Sequence, residues 1–345
     1  MLINRKEFIS ALEEVRPGLS VVEIVENSTC FNFGNGILFT YNDEICVQRK
    51  FPLGEDLKFS VSAKELLALL KKIKDEEVLI SFDEQQLKIK AQDISAGLNI
   101  TTGDVFDVDS MGVNIDKCKF QELPEDFLNG IRQCLSSVST QAGDDTILSC
   151  IHMKKDTLES CDDFSITRYT LPKKIFQQHI MLPGRSAKYL FSYPKINSYA
   201  VASGWIHFKV NESVSFSCRT LEDDQPKWGK FLKVEGEEVE FPKDLNDALD
   251  TAGVFSNDPL ANQYTMAAHV RIEKGQITVK GEGNSGWATK KSKCAYSGER
   301  TIEFITSIPL LKIFLKAHNK AIVAKDKMRF ESGNFVHVIS LIQGD

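Results

Sequence analysis

The hydrophobic positions of the chain follow a period of 2 in some segments and a period near 3.6 in others, which predicts both strands and helices. Residues 59–72, FSVSAKELLALLKK, begin as a short strand and continue as an amphipathic helix. The same plan occurs at residues 304–317, FITSIPLLKIFLKA. The apolar positions of the earlier helix share one face, which we expect to pack against a sheet. They are Ala63, Leu66, Leu70 and Ile73.

A third copy of this element lies in the middle of the chain, and the copies are almost evenly spaced. It begins at Ile180, which is 121 residues after Phe59, and Phe304 follows 124 residues later. Another amphipathic helix pattern recurs at intervals of 119 and 118 residues, around Phe8, Phe127 and Leu245. Two independent landmarks with nearly the same period indicate a threefold internal repeat.

Each repeat combines the two helices with alternating strands. Period-2 patterns with polar turns predict strands and hairpins at residues 36–43, 78–91, 163–171, 199–218, 269–283 and 328–342. We therefore predict an α+β fold of three tandem similar domains, each with two helices packed on a largely antiparallel sheet. Charged joints near residues 114–120 and 233–241 place the predicted domains at 1–117, 118–237 and 238–345.

Composition favours a water-soluble protein of several domains. The 345 residues exceed what one core usually holds, and 42% are hydrophobic and 26% charged. No apolar run is long enough to span a bilayer, and the first residues lack a signal-peptide pattern. The eight cysteines form no CxxC pair, so we expect free thiols and a cytoplasmic location.

The sequence offers little for catalysis. The six histidines are scattered without metal-ligand spacing, so we expect no metal and no cofactor. The glycines of GEGNSGW, residues 281–287, open no helix and lack the Lys-Ser/Thr of a phosphate loop, which favours a hairpin turn. In CDDF, residues 161–164, the paired aspartates fit a turn between strands better than an acid–base pair. We predict that the protein is not an enzyme.

All three second helices place lysine or arginine on the side away from the predicted sheet. On one helix this pattern usually means a solvated face, but three equivalent helices in a chain of net charge −6 also fit an arranged cationic surface. Such a surface would suit a phosphate backbone, which is bound without reading base sequence. Asp247 and Asp250 on a first helix make that lining uneven.

Segments along the whole chain resemble, in order and spacing, a known family. That family is the bacterial-type DNA polymerase III beta subunit, the DNA sliding clamp. The segments are INRKEFISALEEVRPGLS, FSVSAKELLALLKKI, DDFSITRY, IMLPGRSAKYLF, CRTLEDDQPKW, AGVFSND, RIEKGQITVKGEG, AYSGERTIEFITSIPLLKIFL and FVHVISLI.

The resemblance implies a head-to-tail homodimer whose six domains close into a ring around duplex DNA. Such a protein is a processivity factor: it tethers DNA polymerase and other replication proteins and binds DNA independently of sequence. The residues that the resemblance implies to face DNA are Lys64, Lys71, Lys72, Arg132, Arg185, Lys188, Lys312, Lys316 and Lys320. Arg5 and Lys6 are added from the pattern of the first helix. At the joint between protomers, the resemblance implies Phe106 on one side and Val254 with Phe255 on the other.

The family also binds short peptides of the polymerase and the clamp loader in a groove. Its positions correspond to Cys161, Phe164, Ile166, Pro226, Phe231, Val338, Ser340 and Ile342. The usual loop Thr-Asp-Gly-His-Arg-Leu is Cys-Asp-Asp-Phe-Ser-Ile in this chain, and the C-terminal Met-Pro-Met-Arg-Leu is replaced by SLIQGD. These departures change the polarity of the groove and fit a phage-encoded or otherwise divergent clamp whose partner peptide differs.

Two rival interpretations stay open. A clamp-like scaffold that binds proteins without closing around DNA is favoured by Asp247, Asp250 and the uneven basic lining. An enzyme with a site assembled across the repeats is disfavoured by the lack of clustered catalytic groups.

Overall fold

The computed structural model describes residues 1–53, 58–102, 113, 115–141, 146–256, 266–316 and 318–342. The chain divides into two compact units. Unit 1 comprises Met1–Leu128 and Ile180–Glu222, and unit 2 comprises Asn129–His179 and Asp223–Asp345. The middle repeat thus contributes to both units, and the three domain boundaries stay a prediction.

The described residues contain six α-helices, two in each repeat as the sequence predicts. They are α1 (Arg5–Val15), α2 (Ala63–Lys72), α3 (Phe127–Cys134), α4 (Gly184–Ala187), α5 (Leu245–Gly253) and α6 (Ile308–Leu315). The second helix of the middle repeat is the shortest, and a 3-10 turn, Lys188–Ser192, continues it. Gly184 at its start and Pro194 just beyond it are poor helix residues, which accounts for the shortening.

The strands alternate with these helices along the chain. They are β1 (Leu2–Asn4), β2 (Cys30–Gly34), β3 (Ile37–Tyr41), β4 (Ile45–Lys50), β5 (Phe59–Ser62), β6 (Glu77–Phe82), β7 (Gln86–Lys90), β8 (Ser95–Thr102), β9 (Gln121–Glu122), β10 (Cys150–Lys155), β11 (Thr157–Cys161), β12 (Ser165–Thr170), β13 (Phe176–Pro183), β14 (Ser198–Ala202), β15 (Trp205–Lys209), β16 (Val214–Arg219), β17 (Glu237–Glu240), β18 (Ala267–Glu273), β19 (Gln276–Gly283), β20 (Gly286–Lys293), β21 (Ile302–Ser307), β22 (Lys320–Val323), β23 (Lys327–Ser332) and β24 (Phe335–Ser340).

The strand pairs of the described residues are antiparallel, which confirms the predicted α+β class. Unit 1 holds a twelve-stranded sheet in the order β1-β6-β7-β8-β5-β2-β3-β4-β16-β15-β14-β9. The other two sheets run β13-β10-β11-β12-β24-β23-β22-β17 and β20-β19-β18-β21.

Strands from neighbouring repeats pair with each other in the same way at two places. In unit 1, β4 pairs with β16, with Ile45 opposite Cys218. In unit 2, β12 pairs with β24, with Ser165 opposite Ile339. We call these the first and second junctions. The counterpart of β4 and β12 in the third repeat is β20, which lies at a sheet edge and pairs only with β19 within the described residues.

Helix capping and core packing follow the sequence pattern. The Asn4 side chain accepts hydrogen bonds from the Lys6 and Glu7 amides at 3.0 and 3.2 Å, which caps α1. The predicted inner face of α2 is buried, and Leu66 is fully so. The Phe8 ring stacks on Phe51 at 5.3 Å, so α1 covers an aromatic core on the sheet of unit 1.

Two predicted turns are confirmed. Gly283 pairs with Gly286 across a two-residue hairpin between β19 and β20. Asp162 follows β11, and its carboxylate accepts hydrogen bonds from the amides of Phe164 and Ser165, at 2.9 and 2.6 Å. Both motifs are therefore local turn chemistry.

The cysteines are free thiols, as expected from their spacing. Among the described residues, no helix is long and apolar enough to cross a membrane. In the same part of the chain, no three histidine, cysteine, aspartate or glutamate side chains come together as a metal site would require.

The packing of α2 predicts a large difference between its two faces. Leu66→Ala should lower the free energy of unfolding of unit 1 by about 2–5 kcal/mol, because it leaves a cavity in a filled core. Lys64→Ala on the exposed face should change it by less than about 0.5 kcal/mol. Urea unfolding followed by circular dichroism measures both, and equal effects would show that the helix faces are assigned wrongly.

Candidate nucleic-acid interface and docking groove

The second helices carry exposed cations opposite their buried faces. On α2, Lys64, Lys71 and Lys72 are exposed. Lys316 is exposed at the C-terminal cap of α6, where a cation also interacts favourably with the helix dipole. These positions agree with the outward orientation predicted from the helical wheel. Arg185 and Lys188 are exposed as well.

Acidic residues of the first helices pair with some of these lysines. Lys71 Nζ lies 2.6 Å from a carboxylate oxygen of Glu13 on α1. In the third repeat, Lys312 of α6 forms an ion pair with Asp250 of α5. Glu13 and Asp250 occupy equivalent repeat positions, so the two pairs are related arrangements. Cationic charge on these faces is partly neutralised.

The middle repeat has the opposite charge at this position. Arg132, which lies 119 residues after Glu13, is exposed on α3.

Partial burial acts to raise the pKa of Glu13, but hydrogen bonds from Lys71 and Arg16 outweigh it, and the pKa lies below its usual value. Glu13 therefore stays ionised at neutral pH.

Other predicted DNA-facing residues have different surroundings. Arg5 is half-buried, and its guanidinium donates hydrogen bonds to the carbonyls of Asp75 and Leu70, at 2.8 and 3.3 Å. It thus caps the C-terminal end of α2, where carbonyls lack helical partners. Lys6 is exposed on α1.

Lys320 does not lie on a helix as the sequence pattern predicts. The last helix ends at Leu315, and Lys320 begins β22, with Nζ 3.6 Å from Glu240. Two further cations have partners in unit 1. Arg185 lies 2.5 Å from Glu44, and the Lys188 ammonium lies 5.2 Å from the centre of the Tyr189 ring.

The predicted joint residues are partly described. Val254, at the end of α5, is 68% exposed. Phe255 is half-buried, and a Cβ atom on Gly286 would lie 3.1 Å from its ring, so this ring packs on the β19–β20 hairpin. Phe106 lies outside the described residues. Val254 is thus the more exposed apolar side chain of the predicted pair.

The predicted docking-groove residues divide into a buried floor and an exposed rim. Cys161, Ile166 and Val338 are buried together in one apolar cluster of unit 2. Phe231 is 59% exposed, and Phe164 and Pro226 are half-buried. Ser340 and Ile342 are exposed at the C-terminal end.

Sequence reasoning missed several members of this cluster. Leu232 and Val234 complete the floor, and Leu148 and Trp228 pack against it. The alternation of Leu232 and Val234 is the available signal. Leu232 directly follows the predicted groove residue Phe231, and Val234 lies in the segment predicted to be a charged joint, residues 233–241.

The groove also adjoins a histidine pair. His152 Nδ1 lies 3.0 Å from His179 Nε2, and the Trp228 ring meets His152 edge-on at 4.9 Å between centroids. Burial lowers the pKa of both histidines, so the pair is neutral at pH 7. These histidines, scattered in sequence, are adjacent in the fold.

The electrostatics of the floor do not favour nucleophilic chemistry. Burial raises the pKa of the Cys161 thiol to about 12, and the thiol is protonated at neutral pH. Burial also raises the pKa of Asp162, although its hydrogen bonds act in the other direction.

The sequence matches no protein-family model, and it matches no curated protein. Solved structures are similar over nearly the whole chain. The DNA polymerase sliding clamp from Bacillus subtilis has a TM-score of 0.84 and 15% identity, over 100% of this chain and 99% of that one. The chain has the fold of a bacterial sliding clamp.

Two further clamps agree with this assignment. The DNA polymerase III beta chain from Streptococcus pneumoniae has a TM-score of 0.84 at 15% identity, and the beta subunit from Pseudomonas aeruginosa has 0.82 at 14%. Each comparison covers 99% of both chains. Full coverage confirms the predicted clamp fold, and the low identity agrees with a divergent sequence.

From the ion pair between Glu13 and Lys71 we predict how removal of the acidic side chain changes DNA binding. Glu13→Gln frees Lys71 and should strengthen binding to a short duplex roughly two- to fivefold at low salt, because an exposed pair contributes about 0.2–1 kcal/mol. Fluorescence anisotropy measures the change.

Glu84→Gln is the matched control. It removes the same charge at an exposed turn between β6 and β7 and should change duplex binding less. Equal gains for the two variants would mean that only net charge matters and that Lys71 does not face DNA.

Proposed function

We propose that the protein is a non-enzymatic processivity factor, a sliding clamp that encircles duplex DNA as a head-to-tail dimer. The single observation that carries the proposal is the repeated strand pairing. Each of the two internal junctions joins a strand of one repeat to the last strand of the next. The equivalent strand of the third repeat, β20, has an open edge in the part of the chain that the structure describes.

The open edge calls for a strand from another copy. By the repeat, the counterpart of β16 and β24 in the first repeat is β8. Within the described part of the chain, β5 pairs with its residues 100–102, while residues 95–99 pair with β7 alone, so β20 of one protomer would face the first repeat of its partner there. This contact is heterologous, and it closes into a ring when the rotation per repeat fits. Closure also removes an edge that could otherwise aggregate. Six repeats, from two chains, form the proposed ring.

The charge distribution suits sliding. The basic second helices would attract phosphates through counterion release, which carries no sequence information. A net charge of −6 over the whole chain keeps DNA from binding elsewhere. Retention would then come from enclosure, so affinity for DNA can stay low.

Protein partners complete the proposal. The groove over Ile166 and Val338 offers a buried apolar floor with an exposed rim, which suits a short peptide of a DNA polymerase or a clamp loader. Such a protein would work in the cytoplasm, where it meets the replicating DNA.

A scaffold that binds proteins without enclosing DNA is the second candidate. The ion pairs Glu13–Lys71 and Asp250–Lys312 favour it, because they reduce the positive charge of the proposed lining.

Topological retention distinguishes the two candidates. Loaded onto nicked circular DNA with its cognate loader, the protein should persist much longer than on the same DNA after linearisation, because only free ends let a ring escape. Gel filtration of the labelled complex at moderate salt measures retention. Equal loss from circle and line would reject enclosure and leave the scaffold.

The protomer joint yields a separate prediction. Val254→Asp should raise the dimer dissociation constant at least about a hundredfold, since it buries an unpaired charge in the interface. Light scattering measures the mass. Val22→Asp is the matched control, because Val22 is 67% exposed but distant in sequence from the joint residues, and it should remain dimeric. An unchanged mass for Val254→Asp would show that the joint lies elsewhere.

A further inference from the structure

The first and second junctions are replicas, so one can be used to interpret the other. The turn before each bridging strand has the same hydrogen bonds, 120 residues apart. Asn42 Oδ1 accepts from the Ile45 amide at 2.8 Å, and Asp162 Oδ1 accepts from the Ser165 amide at 2.6 Å. The next residue in each turn is an exposed aspartate, Asp43 or Asp163.

The first junction is filled by its own side chains. Trp205 is fully buried there beside Tyr41, with ring centroids 6.2 Å apart. The Arg219 guanidinium lies 4.8 Å from the Trp205 ring and donates a 2.9 Å hydrogen bond to the Asp43 carboxylate. We call Tyr41, Trp205 and Arg219 the plug.

The second junction lacks the plug. Trp205 pairs with Arg219 across β15 and β16, and the equivalent pair across β23 and β24 is Lys327 with Ser340. Tyr41, the last residue of β3, corresponds to Cys161, the last residue of β11. An indole, a phenol and a guanidinium are thus replaced by smaller or more flexible side chains.

The second junction nevertheless retains the apolar floor and the exposed aspartate of the first junction. Val113 of the first junction corresponds to Val234 of the second, and Cys46 corresponds to Ile166; each belongs to the apolar cluster of its own junction. Asp163 stands where Asp43 holds Arg219. The second junction therefore keeps the apolar floor and the aspartate of the first but not the tyrosine, tryptophan and arginine, and Leu232 and Trp228 pack on its floor instead.

We infer that a partner segment supplies the missing groups: an aromatic side chain over Ile166 and Val338, and an arginine that stacks on that ring and pairs with Asp163. This inference rests on the proposed docking groove. The charge is complementary, because an arginine meets a carboxylate that has lost its internal guanidinium. Arginine suits the role better than lysine, since its planar group can stack and bind a carboxylate at once.

The repeat also explains why the two junctions differ in function. The plug closes the first junction, so each chain offers one such docking site, and among the described residues no internal guanidinium takes the place of Arg219 at the second. In an extended segment, residues i and i+2 share a face, so the aromatic and the arginine would be spaced by two.

A dye-labelled peptide, Gly-Ser-Trp-Ser-Arg-Ser-Gly, tests the inference by fluorescence anisotropy. It should bind with one site per chain. Replacing its tryptophan by alanine should abolish measurable binding, and replacing its arginine by glutamate should weaken it roughly tenfold.

Protein variants locate the site. Asp163→Asn should weaken binding of the arginine peptide by the same roughly tenfold factor. It should not weaken binding of the glutamate peptide. Asp93→Asn, at an exposed position in unit 1, is the control for net charge and should change neither. If the unmodified protein binds the arginine and glutamate peptides equally well, the groove recognises only the apolar side chain, and the proposed role of arginine is wrong.

Rebuilding the plug gives an independent test. Lys327→Trp combined with Ser340→Arg should fill the second junction and abolish peptide binding, with the dimer mass and the circular dichroism spectrum unchanged. Peptide binding that survives in this folded variant would overturn the location.

Retention of the unmodified protein on circular DNA is measured in parallel. If the unmodified protein is retained on circular DNA but does not bind the peptide, this inference alone is overturned. Peptide binding without retention would overturn the proposed clamp and leave the docking chemistry supported.

Discussion

Backbone pairing between strands of successive repeats is the interaction on which the other features depend. β4 with β16 and β12 with β24 turn separate sheets into continuous ones, and every hydrogen bond in these ladders satisfies groups that would otherwise form open edges. The same pairing sets both junctions in register, which makes the plug and the docking groove comparable residue by residue. Among the described residues it leaves β20 at a sheet edge, which is where we propose that another copy of the chain binds.

In the proposed clamp, the charge distribution is a compromise between attraction to DNA and release from it. Lysines line the outer faces of the second helices, but Glu13 and Asp250 neutralise two of them, while Arg132 adds charge in the middle repeat. A protein that binds DNA by enclosure does not need the tight electrostatic grip of a protein that binds by contact alone. Partial neutralisation is therefore compatible with sliding, because exposed pairs are weak and screened by salt.

Much of the fold could be predicted because helices and strands depend on local periodicity. The buried face of α2, the hairpin after Gly283 and the turn at Asp162 all follow from neighbouring residues. Lys320 was assigned to a helix because its spacing matched, but strand pairing with β17 overrides that pattern. The docking cluster was only partly predicted: Leu232 and Val234 meet Cys161 through contacts between residues distant in the chain.

The sequence by itself determined the threefold repeat, the α+β class and the outward direction of the lysines on α2, since periodicity and side-chain spacing record these directly. Only the tertiary structure decided which lysines are paired with acids, which histidines touch, and which junction is filled. Those outcomes depend on side chains that are distant in the chain, from 27 residues between His152 and His179 to 58 between Glu13 and Lys71. Tyr41 and Trp205 are further apart still. No local pattern encodes such a contact, because it exists only once strand register places both rings on the same side of one sheet.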